Sequence, residues 1–188
     1  HRLVKAREGR VVIACFASNV ARLVTLATVA RRCGRYPALL GRSLELIRAA
    51  AASADLLPPG FSVVEPGHLG YLPRNEVLAI ATGSQGEPGA ALARLAADTH
   101  PSLSLEAGDT VVLSARTIPG NEAPVAQLLE RFRARDIEVV SAEDSELPVH
   151  ASGHPCAGEL AQLYRWLRPR LAVPVHGEAR HMQENARI

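Results

Sequence analysis

Apolar residues along this chain fall into two patterns that alternate. Val11-Val12-Ile13-Ala14-Cys15-Phe16 is an unbroken apolar run, as in a strand buried on both faces. It breaks at Ala17-Ser18-Asn19, where Ser18 or Asn19 can cap a helix. Over residues 20–33 the apolar positions Val20, Leu23, Leu26, Ala27 and Ala30 recur at helical spacing, and Gly34 stops them. The alternation then repeats. Residues 37–40, 76–81, 110–114 and 137–140 predict strands, and 44–54, 89–97 and 122–135 predict helices. Residues 57–73 read as a loop with a minor strand at 61–64, and past 150 a helix at 159–167 precedes a short apolar strand at 171–173. Strands alternating with helices predict an α/β fold: a Rossmann-like, mostly parallel sheet with helices on both faces.

Composition narrows the class without changing that picture. With 47% hydrophobic and 21% charged residues over 188 positions, the chain is globular rather than disordered. A net charge of +2 gives no strong overall field for nucleic acid, so any basic surface must be local. The three cysteines, Cys15, Cys33 and Cys156, form no CxxC pair, which excludes a zinc ribbon and a disulfide framework and fits buried thiols of a cytoplasmic protein. No apolar run approaches a membrane span, and the first residues lack the apolar centre of a signal peptide. Without an initiator Met, the chain reads as a piece of something longer. Aromatics at 4% provide no stacking platform, which leaves Phe16 and Tyr71 as single stacking surfaces for a base.

Candidate chemistry collects in the loops at the ends of strands, because in a parallel sheet those loops share one edge. Thr82-Gly83-Ser84-Gln85-Gly86-Glu87-Pro88 is either a cradle of backbone N–H groups for a phosphate or a tight structural turn. It carries neither a Walker loop nor a dinucleotide fingerprint. Ser18 and Asn19, and Thr117-Ile118-Pro119-Gly120-Asn121-Glu122, complete a polar rim, with Arg42 and Arg116 as phosphate partners nearby. His150, His154 and His176 lie in Gly-flanked loops separated by one helix and one strand. Imidazoles bind metal or donate to a phosphate, but no HxHxD cluster completes a metal site.

Six motifs then occur in order: Phe16-Ala17-Ser18-Asn19, Gly41-Arg42-Ser43, the 82–88 loop, Ile118-Pro119-Gly120-Asn121-Glu122, His150-Ala151-Ser152-Gly153-His154 and Pro174-Val175-His176-Gly177-Glu178. Together they resemble bacterial ribonuclease J, a β-CASP member of the metallo-β-lactamase superfamily. The resemblance implies a β-CASP domain over residues 1–145, lacking its start, and a return segment of the metallo-β-lactamase domain over 146–188. It implies a cytoplasmic RNA processing and decay enzyme with 5′-to-3′ exonuclease and endonuclease activity, two zinc ions (manganese or magnesium as alternatives) and a homo-oligomeric full-length form. Its expected partner is RNA, especially 5′-monophosphorylated, and no membrane. By motif, Glu87 takes the acidic first β-CASP position and His154 the second, at the scissile phosphate. His176 takes the third, a metal ligand. His150, Ala151, Ser152, Gly153 and His154 match the substrate-phosphate loop, with Ser18, Asn19, Ser84 and Gln85 along the same rim. The family's HxHxDH motif has no match here, so the remaining metal ligands are expected outside this chain, which by itself is expected to be inactive. A β-CASP nuclease acting on DNA or another RNA class, a non-catalytic phosphate- or RNA-binding module, and a nucleotide-binding Rossmann-like domain are the alternatives.

Overall fold

A computed structural model describes residues 1–175 and 177–188. The chain divides into two compact units, residues 1–151 and 152–188. In the first, a short helix α1 (Arg2–Lys5) leads into β1 (Val11–Ala14), α2 (Val20–Arg32), β2 (Tyr36–Leu40) and α3 (Arg42–Ser53). After two 3₁₀ turns come β3 (Val77–Ala81), α4 (Ala91–Ala96), β4 (Thr110–Leu113), α5 (Glu122–Arg133) and β5 (Glu138–Val140). The strands form one sheet in the order β2-β3-β1-β4-β5, and every neighbouring pair is parallel. The predicted α/β class and parallel sheet therefore stand.

Each strand serves two cores because side chains alternate across the sheet. Val12 and Ala14 face a cluster with Leu92 and Leu95 of α4 and Val125, Leu128, Leu129 and Phe132 of α5. Val11 and Ile13 face a second cluster with Leu23 and Ala30 of α2 and Leu44 of α3. That double burial is why β1 and β3 read as unbroken apolar runs, and why helices cover both faces. Phe132, Leu92 and Leu95 are fully buried, each stabilising the fold by about 1.5–3 kcal/mol relative to exposure.

The minor strand expected at 61–64 reduces to one rung, a parallel bridge between Ala38 and Val64 in which Val64 N donates to the Pro37 carbonyl at 2.8 Å. Pro37 has no N–H to offer on that edge, so the ladder goes no further.

The edge of the sheet where strands begin is fixed by one buried carboxylate. Asp109 is fully buried and accepts from Arg10 N at 2.7 Å, Glu106 N at 2.9 Å, and Arg74 Nε and Nη2 at 3.1 and 2.8 Å. Opposed cations and backbone donors satisfy the charge that burial would otherwise penalise.

Residues 152–188 carry two helices, α6 (Ala157–Leu167) and α7 (Ala179–Ala186). Cys156 N donates to the Glu159 carboxylate at 2.8 Å at the start of α6, and Arg168 ends it in the left-handed region at φ 44°. Tyr164 O–H donates to Asn185 Oδ1 at 2.8 Å and ties the helices together. The strand expected at 171–173 does not form. Leu171 and Val173 are exposed, and no neighbouring strand offers them a ladder among the described residues. An apolar run becomes a strand only where an edge receives it.

Candidate functional site

Because all five strands run the same way, the segments after β1, β2, β3 and β4 emerge at one edge. Asn19 accepts from Arg22 N at 2.9 Å and caps α2, while Ser18 beside it is exposed. Phe16 is half-exposed on the same loop, and Tyr71 stands almost fully exposed elsewhere.

The loop after β3 closes on itself. Gly86 N donates to the Gly83 carbonyl at 3.2 Å, and Gln85 N donates to the Glu87 carboxylate at 2.8 Å. Two of the loop's N–H groups, those of Gly86 and Gln85, are thus taken, and one of them already faces an anion. Those two bonds are the ones by which the loop turns back on itself. Glycine is required at 86, where φ is +75° and a Cβ would lie 2.8 Å from Pro124 at the start of α5. Glu87 itself is exposed, whereas Ser84 and Gln85 are buried.

Gln85 joins the loop after β3 to the loop after β4. Its Nε2 donates to the Arg116 carbonyl at 3.1 Å, and its Oε1 accepts from Ile118 N at 2.8 Å and Asn121 Nδ2 at 3.4 Å. Its amide therefore positions the rim.

A second stitch runs through Arg22, a residue that sequence reasoning passed over. Its Nη1 donates to Ser114 Oγ at 2.5 Å and to the Ser114 carbonyl at 3.2 Å, and its Nη2 donates to the Ala151 carbonyl at 2.9 Å. Ser114 Oγ in turn donates to the Val149 carbonyl at 2.6 Å. Residues 149–151 are therefore pinned to the end of β4, inside the first compact unit, residues 1–151. The available signal was Arg22 three residues past the cap of a helix that leaves a strand-end loop, a position that faces the rim.

His150 sits in this clamp, half-buried, with Nδ1 at 3.2 Å from the Ser114 carbonyl. A carbonyl only accepts, so Nδ1 carries the proton and Nε2 is an acceptor in the neutral ring. Burial, opposed by that hydrogen bond and reinforced by Arg22 and Arg116, holds the imidazole below its ordinary 6.5. The ring is neutral at pH 7. Ser152, Gly153 and His154 begin the second unit, exposed, with His154 N donating to Ser152 Oγ at 3.1 Å. The expected metal ligand His176 falls outside the described residues.

The chemistry of the donors tests the implied metal. Among the described residues no three His, Cys, Asp or Glu side chains come together as a metal site.

A parallel α/β sheet with its polar loops stitched together at the carboxyl edge defines a Rossmann-like domain with a rim site. The chain belongs to the ribonuclease J β-CASP family, since residues 8–132 match the model described as "Ribonuclease J, beta-CASP domain". Residues 148–187 match a second model, "Zn-dependent metallo-hydrolase RNA specificity domain", and that family implies a metal cofactor. Ribonuclease J of Sinorhizobium meliloti is 41% identical over 187 residues, covering 100% of this chain and 33% of that protein. Those of Mycolicibacterium smegmatis and Mycobacterium tuberculosis are 39% and 38% identical over 189 residues, each covering 100% of this chain and 34% of the relative. The chain thus spans about a third of the length of the curated relatives it matches. No helix among the described residues is long and apolar enough to cross a membrane.

Proposed function

We propose that the longer protein to which this chain belongs is a metal-dependent ribonuclease. It would hydrolyse phosphodiester bonds in RNA, from 5′ ends and internally, during RNA processing and decay in the cytoplasm. The observation that carries this reading is the succession, along one chain, of a β-CASP match and an RNA-specificity match. The stitched rim supports it: Gln85 and Arg22 hold three strand-end segments in fixed relation, as positioning a flexible polyanion requires.

In this proposal the residues of the chain bind and orient. His154 hydrogen-bonds the phosphate undergoing attack, and the segment from His150 to His154 receives the terminal nucleotide, preferentially 5′-monophosphorylated. His150 contributes Nε2 as an acceptor at neutral pH, suited to a sugar hydroxyl. Glu87 adds a carboxylate to the rim, to which Ser18 and Asn19 also contribute. Ser84 and Gln85 act from beneath, by keeping the loops in place. His176 is proposed to join a metal site, of zinc by preference, whose other ligands lie outside this chain. The metal supplies Lewis acidity when bound. The exposed Trp166, Leu167 and Leu171 are proposed to be buried by the remainder of the longer protein, itself a homo-oligomer.

The test is cleavage of 5′-monophosphorylated RNA by the full-length protein, with and without EDTA, beside His154→Ala and His176→Ala. Both variants are expected to lose activity, with metal content reduced only in His176→Ala. Full activity in both would refute the assignment. Residues 1–188 alone are expected to show no ribonuclease activity, and EDTA-sensitive cleavage by that piece would overturn the division of labour.

A further inference from the structure

Beside the rim lies a groove that the hydrogen bonds of the rim do not cross. It is an open cleft of about 650 Å³ past the carboxyl end of β2, between α3 and residues 100–102. Leu46, Ala49, Pro66 and Pro101 give it an aliphatic floor, and Leu46 is 71% exposed. Arg42, Arg48 and Arg94 line its walls. Arg48 is paired with Glu45 at 2.8 Å, whereas Arg42 and Arg94 make no side-chain hydrogen bond or ion pair among the described residues. His100, also in the wall, accepts from Ser102 N at 3.2 Å, and burial with Arg94 nearby holds its ring neutral at pH 7. Three arginines thus face one glutamate, in a protein whose net charge is only +2.

We propose that this groove is a track for the backbone of single-stranded RNA, a binding site distinct from the rim; the assignment rests on the ribonuclease reading. Continuity selects the occupant. Gly41 opens the groove and abuts Thr82, the first residue of the loop that carries Glu87: a Cβ on Gly41 would lie 2.5 Å from Thr82 Oγ1. A nucleotide chain whose end is held at the rim passes the groove's mouth along the same edge of the sheet. The guanidinium groups of Arg42 and Arg94, without a side-chain partner among the described residues, can each take two oxygens of a phosphate at once. The proline rings and guanidinium planes offer bases a surface that accepts any sequence, as single-strand tracks do. An enclosed small-molecule pocket has the opposite shape.

The experiment measures binding by the full-length protein of a 15-nucleotide single-stranded RNA across salt concentrations, beside a 5′-monophosphorylated tetranucleotide too short to leave the rim. Arg94→Ala is expected to lower the slope of log K against log salt by about 0.7, one phosphate's worth for a single strand. Adding Arg42→Ala should lower it by about 1.4 in total. Arg94→Glu should weaken the long RNA further, while Arg94→Lys restores most of the slope. Tetranucleotide binding should be unchanged in the Arg94 variants, all substitutions on the groove side of α4. Wild-type slope and affinity for the long RNA in Arg94→Glu, with tetranucleotide binding intact, would overturn the track alone and leave an acidic peptide as the better occupant. Failure of the wild type to bind either RNA would overturn the ribonuclease reading and the track together.

Discussion

Replacing Gln85 by alanine should loosen the rim without touching the chemistry. The side chain is 6% exposed and carries two well-formed hydrogen bonds, to the Arg116 carbonyl at 3.1 Å and from Ile118 N at 2.8 Å, with a longer third from Asn121 at 3.4 Å. Each good bond contributes about 1 kcal/mol net, and the groups left behind lie near enough to solvent for water to recover part of the loss. The expected cost is therefore about 2 kcal/mol, or about 4–8 °C in Tm for a domain of this size. Gln85→Glu sharpens the test. One carboxylate oxygen still accepts from Ile118 N, but the other meets the Arg116 carbonyl, acceptor against acceptor. This variant should be as destabilised as alanine at pH 8 and recover once its carboxyl protonates, below about pH 4. Urea denaturation monitored by circular dichroism gives the energy, and amide exchange at Ile118 reports the local bond. In the full-length protein KM for RNA should rise while kcat changes little, as expected of a positioning residue. Alanine and glutamate variants both within about 0.5 kcal/mol of wild type, with Ile118 still protected, would refute the reasoning.

Three other outcomes are expected from the same structure. Asp109→Ala should cost about 3–5 kcal/mol in urea denaturation, because it leaves Arg10 and Arg74 without the buried anion they surround; a loss below about 1 kcal/mol would show that solvent already satisfies them. His150 and His100 both titrate below the ordinary 6.5 in the folded protein, so the stability they lend is complete above that pH and is lost progressively as pH falls beneath it. His150→Gln should flatten that decline, read as urea midpoints between about pH 7.5 and 5. Burial pushes the Cys15 thiol up to about 11 while Cys156 is exposed, so iodoacetamide at about pH 8 should label Cys156 in the native protein and reach Cys15 only after unfolding.

How far the sequence could be read depended on the range of the interactions involved. The strands were legible because double burial leaves an unbroken apolar run, and α2 because its cap and spacing are local. The segments at 61–64 and 171–173 were not, because strand formation depends on a partner edge that lies elsewhere in the fold. The rim residues were found as loop positions, yet their division of labour was hidden: Gln85 and Ser84 turn inward, and Glu87 occupies an N–H of its own loop. The bonds of Arg22 and Asp109 carried no signal in the sequence, since Ser114 and Arg10, which they bind, lie 92 and 99 residues away.

An open parallel sheet has two ends at which another chain could add a strand, and this one defends both. At β2 the ring of Pro37 interrupts the row of donors, and Val64 N covers the Pro37 carbonyl. At β5 the strand is three residues long, and its outermost charge, Glu138, is held by Arg7 at 2.5 Å and by Thr110 at 3.0 Å. Edges blunted in this way refuse a strand from another copy of the same chain. Replacing Pro37 with a residue that donates would then do its harm between molecules, as fibrils or gels at high concentration, before any loss appeared within one.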